Sequence, residues 1–142
     1  MINMKTIFLV FFICFYSLLN AQSILGEWET FDDITGDKLS VVEIYKNKNK
    51  YFGKIIHLFE DPLDSVCDKC DGENKNKPIV GLVIINNLIE DDDEYNDGTI
   101  LDPNNGKYYK CYLELENNNK LKLRGYIGFS LLGRTQYWQR KI

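Results

Sequence analysis

Strict alternation over ten residues is the tightest constraint on this chain. In KYYKCYLELE, residues 107–116, Tyr109, Cys111, Leu113 and Leu115 share one face, and Lys110, Tyr112, Glu114 and Glu116 share the other. Successive side chains of a strand point to opposite sides, so this period describes a strand with one buried and one wet face. KLKLRGYIG, residues 120–128, repeats the pattern with Leu121, Leu123, Gly125 and Ile127 inward and Lys122, Arg124 and Tyr126 outward. The polar run Asn117-Asn118-Asn119 between them is a short turn, so the pair reads as a hairpin.

The same reading extends along the chain. ILGEWET (24–30), LSVVEIYKN (39–47), KYFGKIIHLF (50–59) and TQYWQRK (135–141) are rich in β-branched and aromatic residues. Polar or Gly-containing turns separate them. IVGLVII (79–85) is apolar on both faces, which fits a buried strand or a short helical turn. TILDP (99–103) leads through Asn104-Asn105-Gly106 into the strand at 107. About eight strands adjacent in sequence imply an all-β fold, a single antiparallel up-and-down β-barrel, because closure removes exposed edges. The longest irregular piece spans residues 60–78, and a loop of that length in a small domain is often functional or covalently pinned.

Residues 1–21, MINMKTIFLVFFICFYSLLNA, have the form of a secretory signal. Lys5 supplies the positive end, Thr6–Leu19 the apolar core, and Ala21 the small residue at a cleavage point. The apolar run is shorter than the roughly 20 residues of a membrane span, and none follows it, so the expected product is exported and does not cross a membrane. Residues 22–142 suit one compact domain. The whole chain carries a formal net charge of −4, and losing Lys5 makes it one unit more negative. With no basic stripe interleaved with aromatics, nucleic acid is not an expected partner. Export places the cysteines in an oxidising compartment, where neighbours tend to pair.

Gly26 and Trp28 form a G-x-W on the first strand, and the last strand carries Trp138 and Arg140 after Arg134. The set resembles the lipocalin and calycin pattern. That resemblance implies that Trp28 closes the barrel floor with Arg140 packed over it, a guanidinium stacked on an indole. A resemblance to the bacterial family called domain of unknown function 2147 covers nearly all of residues 22–142. It rests on GEWETFDDITGDKLSVVEIYK, CDKCDGENKNKPIVGLVII, DGTILDPNNGKYYKC and LRGYIGFSLLGRTQYWQR, in that order. It departs at Glu94–Gly98, where a Trp and a second Gly would stand. The resemblance implies an exported lipocalin-like barrel and brings no established chemistry, so function has to be argued from sites.

Cys67 and Cys70 form a C-x-x-C in the long loop, open to three readings. A structural zinc site needs four Cys or His ligands, yet Cys111 and His57 sit within strands. A redox couple belongs at a helix N-terminus, whereas here Asp68 and Asp71 flank the thiols. The residues favour a local disulfide, Cys67–Cys70, stapling the loop and leaving Cys111 as a free buried thiol. The acidic run from Glu90 resembles a calcium loop, but its last ligand position is Asn104 in place of Glu, so it reads as a solvated hairpin tip. His57, the single His, reads as a strand residue with its ring satisfied.

No G-x-S-x-G and no phosphate-cradling Gly loop occurs. Ser130 has neither an evident base nor an oxyanion donor beside it. In GYIGFSLLGRTQYW, Gly125, Gly128 and Gly133 permit a tight β-turn. The same block could also line a barrel mouth, with Arg134 anchoring an acidic ligand and Tyr126 and Ser130 beside it. The expectation is therefore a non-enzymatic binder of a small apolar or amphipathic ligand in the cell envelope, without cofactor or metal. The alternative is an envelope protein-interaction module with a filled barrel, and a thiol-redox role stands third.

Overall fold

The computed structural model describes residues 3, 4, 7 and 22–142. The expected signal segment, residues 1–21, lies almost wholly outside the described residues. Eight strands follow one another: β1 (Gly26–Phe31), β2 (Lys38–Asn47), β3 (Lys50–Leu58), β4 (Val83–Asp91), β5 (Glu94–Asp102), β6 (Lys107–Asn117), β7 (Lys120–Tyr126) and β8 (Gly133–Arg140). Each pairs antiparallel with the next, and β8 returns to β1 to close the barrel. Among the described residues of the barrel the one helical element is a single 3-10 turn, Gly72–Asn74.

Alternation decides which side chains fill the inside. Cys111, Leu113, Leu121 and Leu123 are buried, and Lys110 and Glu116 are solvated. Ile127, expected inward, is 67% exposed. β7 ends at Tyr126, so the pleat that would have turned Ile127 inward stops one residue short. The ambiguous IVGLVII divides: Ile79–Leu82 make a turn, closed by Leu82 N–H donating to the Ile79 carbonyl, and the strand begins at Val83. The acidic run Glu90–Glu94 forms the solvated end of the β4–β5 hairpin, as expected. Glu90 and Asp91 end β4, Glu94 opens β5, and the tip is Asp92-Asp93.

The segment Glu94–Gly98, where the chain departs from the family pattern, is irregular. Asn87 (φ 60°) and Asp97 (φ 60°) sit on facing strands in the left-handed region, and the β5–β6 register shifts between Tyr95 and Gly98. A bulge of this kind re-aims the neighbouring side chains. Here Leu88 turns inward and is fully buried. A Cβ on Gly98 would lie 2.6 Å from Leu88 Cδ2 and 2.9 Å from the Asn86 carbonyl oxygen. Gly98 is thus the space that Leu88 occupies.

Turns alternate between the two ends of such a barrel. One end carries the N-terminal segment and the short β2–β3, β4–β5 and β6–β7 turns; the other carries the β1–β2, β3–β4, β5–β6 and β7–β8 connections. Trp28, Ile44, Tyr51, Leu88, Tyr95, Leu113 and Leu121 pack the half near the short turns. The half beneath the longer loops is open.

Candidate functional site

The open half is a cup of about 630 Å³. Trp138 and Leu123 stand at its base; Ile55, Leu58, Ile84, Ile100 and Leu101 line its walls, and Gly125 leaves a gap in β7. A Cβ on Gly125 would meet nothing closer than Ile100 Cγ2 at 3.7 Å, so a larger side chain there would grow into the cup. Its volume falls in the range of about 300–1,000 Å³ common to small-molecule sites.

The lining is not uniformly apolar. Thr30 on β1 and Ser40 on β2, register partners and each 8% exposed, share a hydroxyl–hydroxyl hydrogen bond of 2.7 Å. Gln136 stands two residues before Trp138 and so on the same face of β8, half-buried in the lining. The indole N–H of Trp138 has no hydrogen-bond partner among the described residues. Alternation could have found these groups: Thr30 is in phase with Trp28, Ser40 with Val42, and Gln136 with Trp138. Sequence reasoning passed over them because small uncharged polar residues carry no motif.

The mouth is charged. Asp32, Asp61, Asp102 and Arg134 border it. Backbone N–H groups of Thr35 and Ile34 donate to the Asp32 carboxylate, and they hold its pKa below the ordinary carboxylate value. Arg134 is occupied: its Nε lies 2.5 Å from Asp33 Oδ2. Tyr126 is at the rim, whereas Ser130 is not among the cavity-lining residues. The Ser130 carbonyl instead accepts from Arg124 Nε (3.0 Å) and Nη2 (2.8 Å), which ties the β7–β8 loop down on its own hairpin.

Cys67 and Cys70 are disulfide-bonded, with Cα atoms 5.4 Å apart. Around the bond the loop folds on itself: Cys67 N–H donates to the Lys77 carbonyl, Asn76 N–H to the Cys67 carbonyl, and Lys75 Nζ to the Asp68 carbonyl. The stapled segment presses on the β5–β6 turn. Cys67 Sγ lies 3.7 Å from the Pro103 carbonyl oxygen, and a Cβ on Gly106 (φ 73°) would collide with the Lys69 carbonyl. Pro103, Asn104 and Asn105 of that turn border the mouth, so the loop props one side of the opening. Cys111 is a free buried thiol, pushed up to about 12 by its desolvation. His57 is exposed on the outer face of β3, its ring edge-on to Phe59.

The opposite end is sealed. Arg140 lies 4.3 Å above the Trp28 ring and donates to the carbonyls of Ser23 (2.7 Å), Leu25 (2.9 Å) and Asn118 (2.6 Å). Trp28 Nε1 donates to the Ile24 carbonyl at 2.8 Å. Gly26 (φ 120°) completes the arrangement, since a Cβ there would approach Arg140 Nη1 to 3.2 Å. The G-x-W thus joins a backbone conformation that suits glycine, space for a guanidinium, and the indole on which it stacks. Among the described residues no group of three or more His, Cys, Asp or Glu is arranged to hold a metal ion. Nor is any helix there long and apolar enough to cross a membrane.

Residues 26–140 match the family model described as "Uncharacterized protein conserved in bacteria (DUF2147)". Among solved structures, the chain is similar to HP1028 from Helicobacter pylori, a protein described as belonging to the lipocalin family. The TM-score is 0.75 at 19% identity, covering 84% of each chain. No curated protein matches the sequence.

Proposed function

The chain belongs to the DUF2147 family of bacterial proteins, and from that premise we propose that it is an exported, non-enzymatic binding protein. Its ligand is a small apolar or amphipathic molecule held in the barrel. The observation that carries the reading is the half-filled interior: a cup of about 630 Å³ with aliphatic walls and an indole at its base. Burying an apolar ligand against such walls is favourable by roughly 25 cal/mol per Å². The lipocalin-like fold supports the same reading, as does the disulfide, which persists in oxidising compartments outside the cytosol. The titration of N-phenyl-1-naphthylamine, an uncharged apolar dye, tests it. Its fluorescence should rise on binding to the protein and stay low with a Gly125→Phe variant of unchanged thermal unfolding. Equal enhancement by both proteins would place the dye elsewhere and remove the cup from the proposal.

A second reading concerns the rim. Ile34, Leu63, Phe129, Leu131 and Leu132 are well exposed on loops at the open end. Large apolar side chains gathered around an opening favour contact with another envelope component there. This is the protein-interaction alternative, and it coexists with an occupied cup.

A further inference from the structure

Resting on that ligand-binding reading, we propose that the cup selects an uncharged ligand bearing a hydroxyl or carbonyl group, inserted with its oxygen toward the Thr30–Ser40 pair. Carboxylate amphiphiles are excluded. Three observations converge. First, the charged lining residues are Asp32, Asp61, Asp102 and Arg134, all at the mouth. Three carboxylates face one guanidinium there, and Asp33 already neutralises that guanidinium. An anion entering would cross a field of its own sign and find no free cation among the described lining residues. It would then leave water for walls that offer no counter-charge, the costliest way to bury a carboxylate.

Second, the interior holds a built polar spot. The Thr30 and Ser40 hydroxyls have two O–H groups between them, and their mutual bond at 2.7 Å uses one. One donor and the remaining lone pairs stay available to a ligand oxygen. Gln136 adds a carboxamide on the neighbouring strand β8. Such uncharged donors and acceptors satisfy a hydroxyl or carbonyl and cannot repay the desolvation of an ion.

Third, the cup stops halfway. Its base residues Trp138 and Leu123 are backed by packed side chains, so the ligand is compact, and a long acyl chain cannot be enclosed along the barrel axis. Trp138 contributes ring surface to this base, while its indole N–H is buried and without a partner among the described residues.

Displacement of N-phenyl-1-naphthylamine by three matched probes tests the assignment: geraniol, geranic acid at neutral pH, and the hydrocarbon myrcene. Geraniol should displace the dye at least about tenfold more effectively than geranate, the equivalent of ~1.4 kcal/mol. A Thr30→Val/Ser40→Ala variant should weaken geraniol several-fold and leave myrcene unchanged, which a general loosening of the barrel would not do. Geranate competing as well as geraniol would overturn the inference while leaving the cup a binding site. Unchanged geraniol binding by the double variant would do the same. Dye that fails to bind at all would overturn the binding reading and this inference together. The geraniol–geranate comparison uses the unaltered protein, so it stands even where the double variant does not fold.

Discussion

Cys111 shows what a single buried group does to the whole stability curve. It sits on the inward face of β6, fully buried, and desolvation raises its pKa from 9.0 to about 12. Tyr51 behaves alike, raised from 10.0 to about 12 by burial and then by donating its hydroxyl to Glu90. In both cases the folded state favours the protonated form. The unfolded chain therefore releases these protons first as pH rises, and stability falls. The contribution is fully present below 9.0, begins to fade as the unfolded thiol ionises, and is lost by about 12. Urea midpoints measured from neutral pH up through that window should be level and then decline. A Cys111→Ala variant should delay the onset toward 10.0, where Tyr51 takes over.

At the scale of elements, the C-x-x-C loop and the β5–β6 turn form one unit. Cys67–Cys70 closes a ring only three residues apart in sequence, so it restricts the unfolded chain less than a long-range bridge would. Its effect is local: the stapled segment leaves no room for a Cβ at Gly106. A Cys67→Ser/Cys70→Ser variant should lose about 2 kcal/mol of stability. Hydrogen exchange should quicken in residues 65–79 and in the turn at 103–106, while the β6–β7 hairpin keeps its protection. Equal quickening in both regions would show that the staple supports the whole barrel and not one side of the mouth. The left-handed residues of β4 and β5 work at the same scale: Asn87 and Asp97 sit on facing strands, and between them Leu88 fills the volume Gly98 leaves.

For the whole molecule, the division into a packed half and an open half governs the response to ligand. A ligand that binds only the folded barrel stabilises it by mass action, about 2.7 kcal/mol at a hundredfold excess over Kd. N-phenyl-1-naphthylamine should therefore raise the thermal midpoint of the protein and leave that of Gly125→Phe unmoved. A matching shift in both proteins would assign the stabilisation to a surface site such as the apolar rim. Arg140 belongs to the other end of this division. Its ties to Ser23, Leu25 and Asn118 draw the N-terminal segment and the β6–β7 turn together under Trp28. The barrel is sealed below and open above.

Much of this was legible in the residues. Period-two alternation is a local property of the backbone, so KYYKCYLELE and KLKLRGYIG announced their strands and inward faces, and short turns implied the up-and-down order. The cysteine spacing and the Asp residues beside it favoured a staple. Alternation fails where a strand stops or bulges: Ile127 lies just past the end of β7, and the register of β5 on β6 shifts between Tyr95 and Gly98. How much of the interior is filled is settled only by the folded packing. Each inward residue contributes a volume, but whether eight strands' worth of side chains meet or leave a cup depends on stagger, bulges and facing glycines from strands far apart in sequence. The pairing of Arg134 with Asp33, and of Thr30 with Ser40, follows from the same closure. Close packing is a sum over three-dimensional neighbours, and a one-dimensional period does not record it.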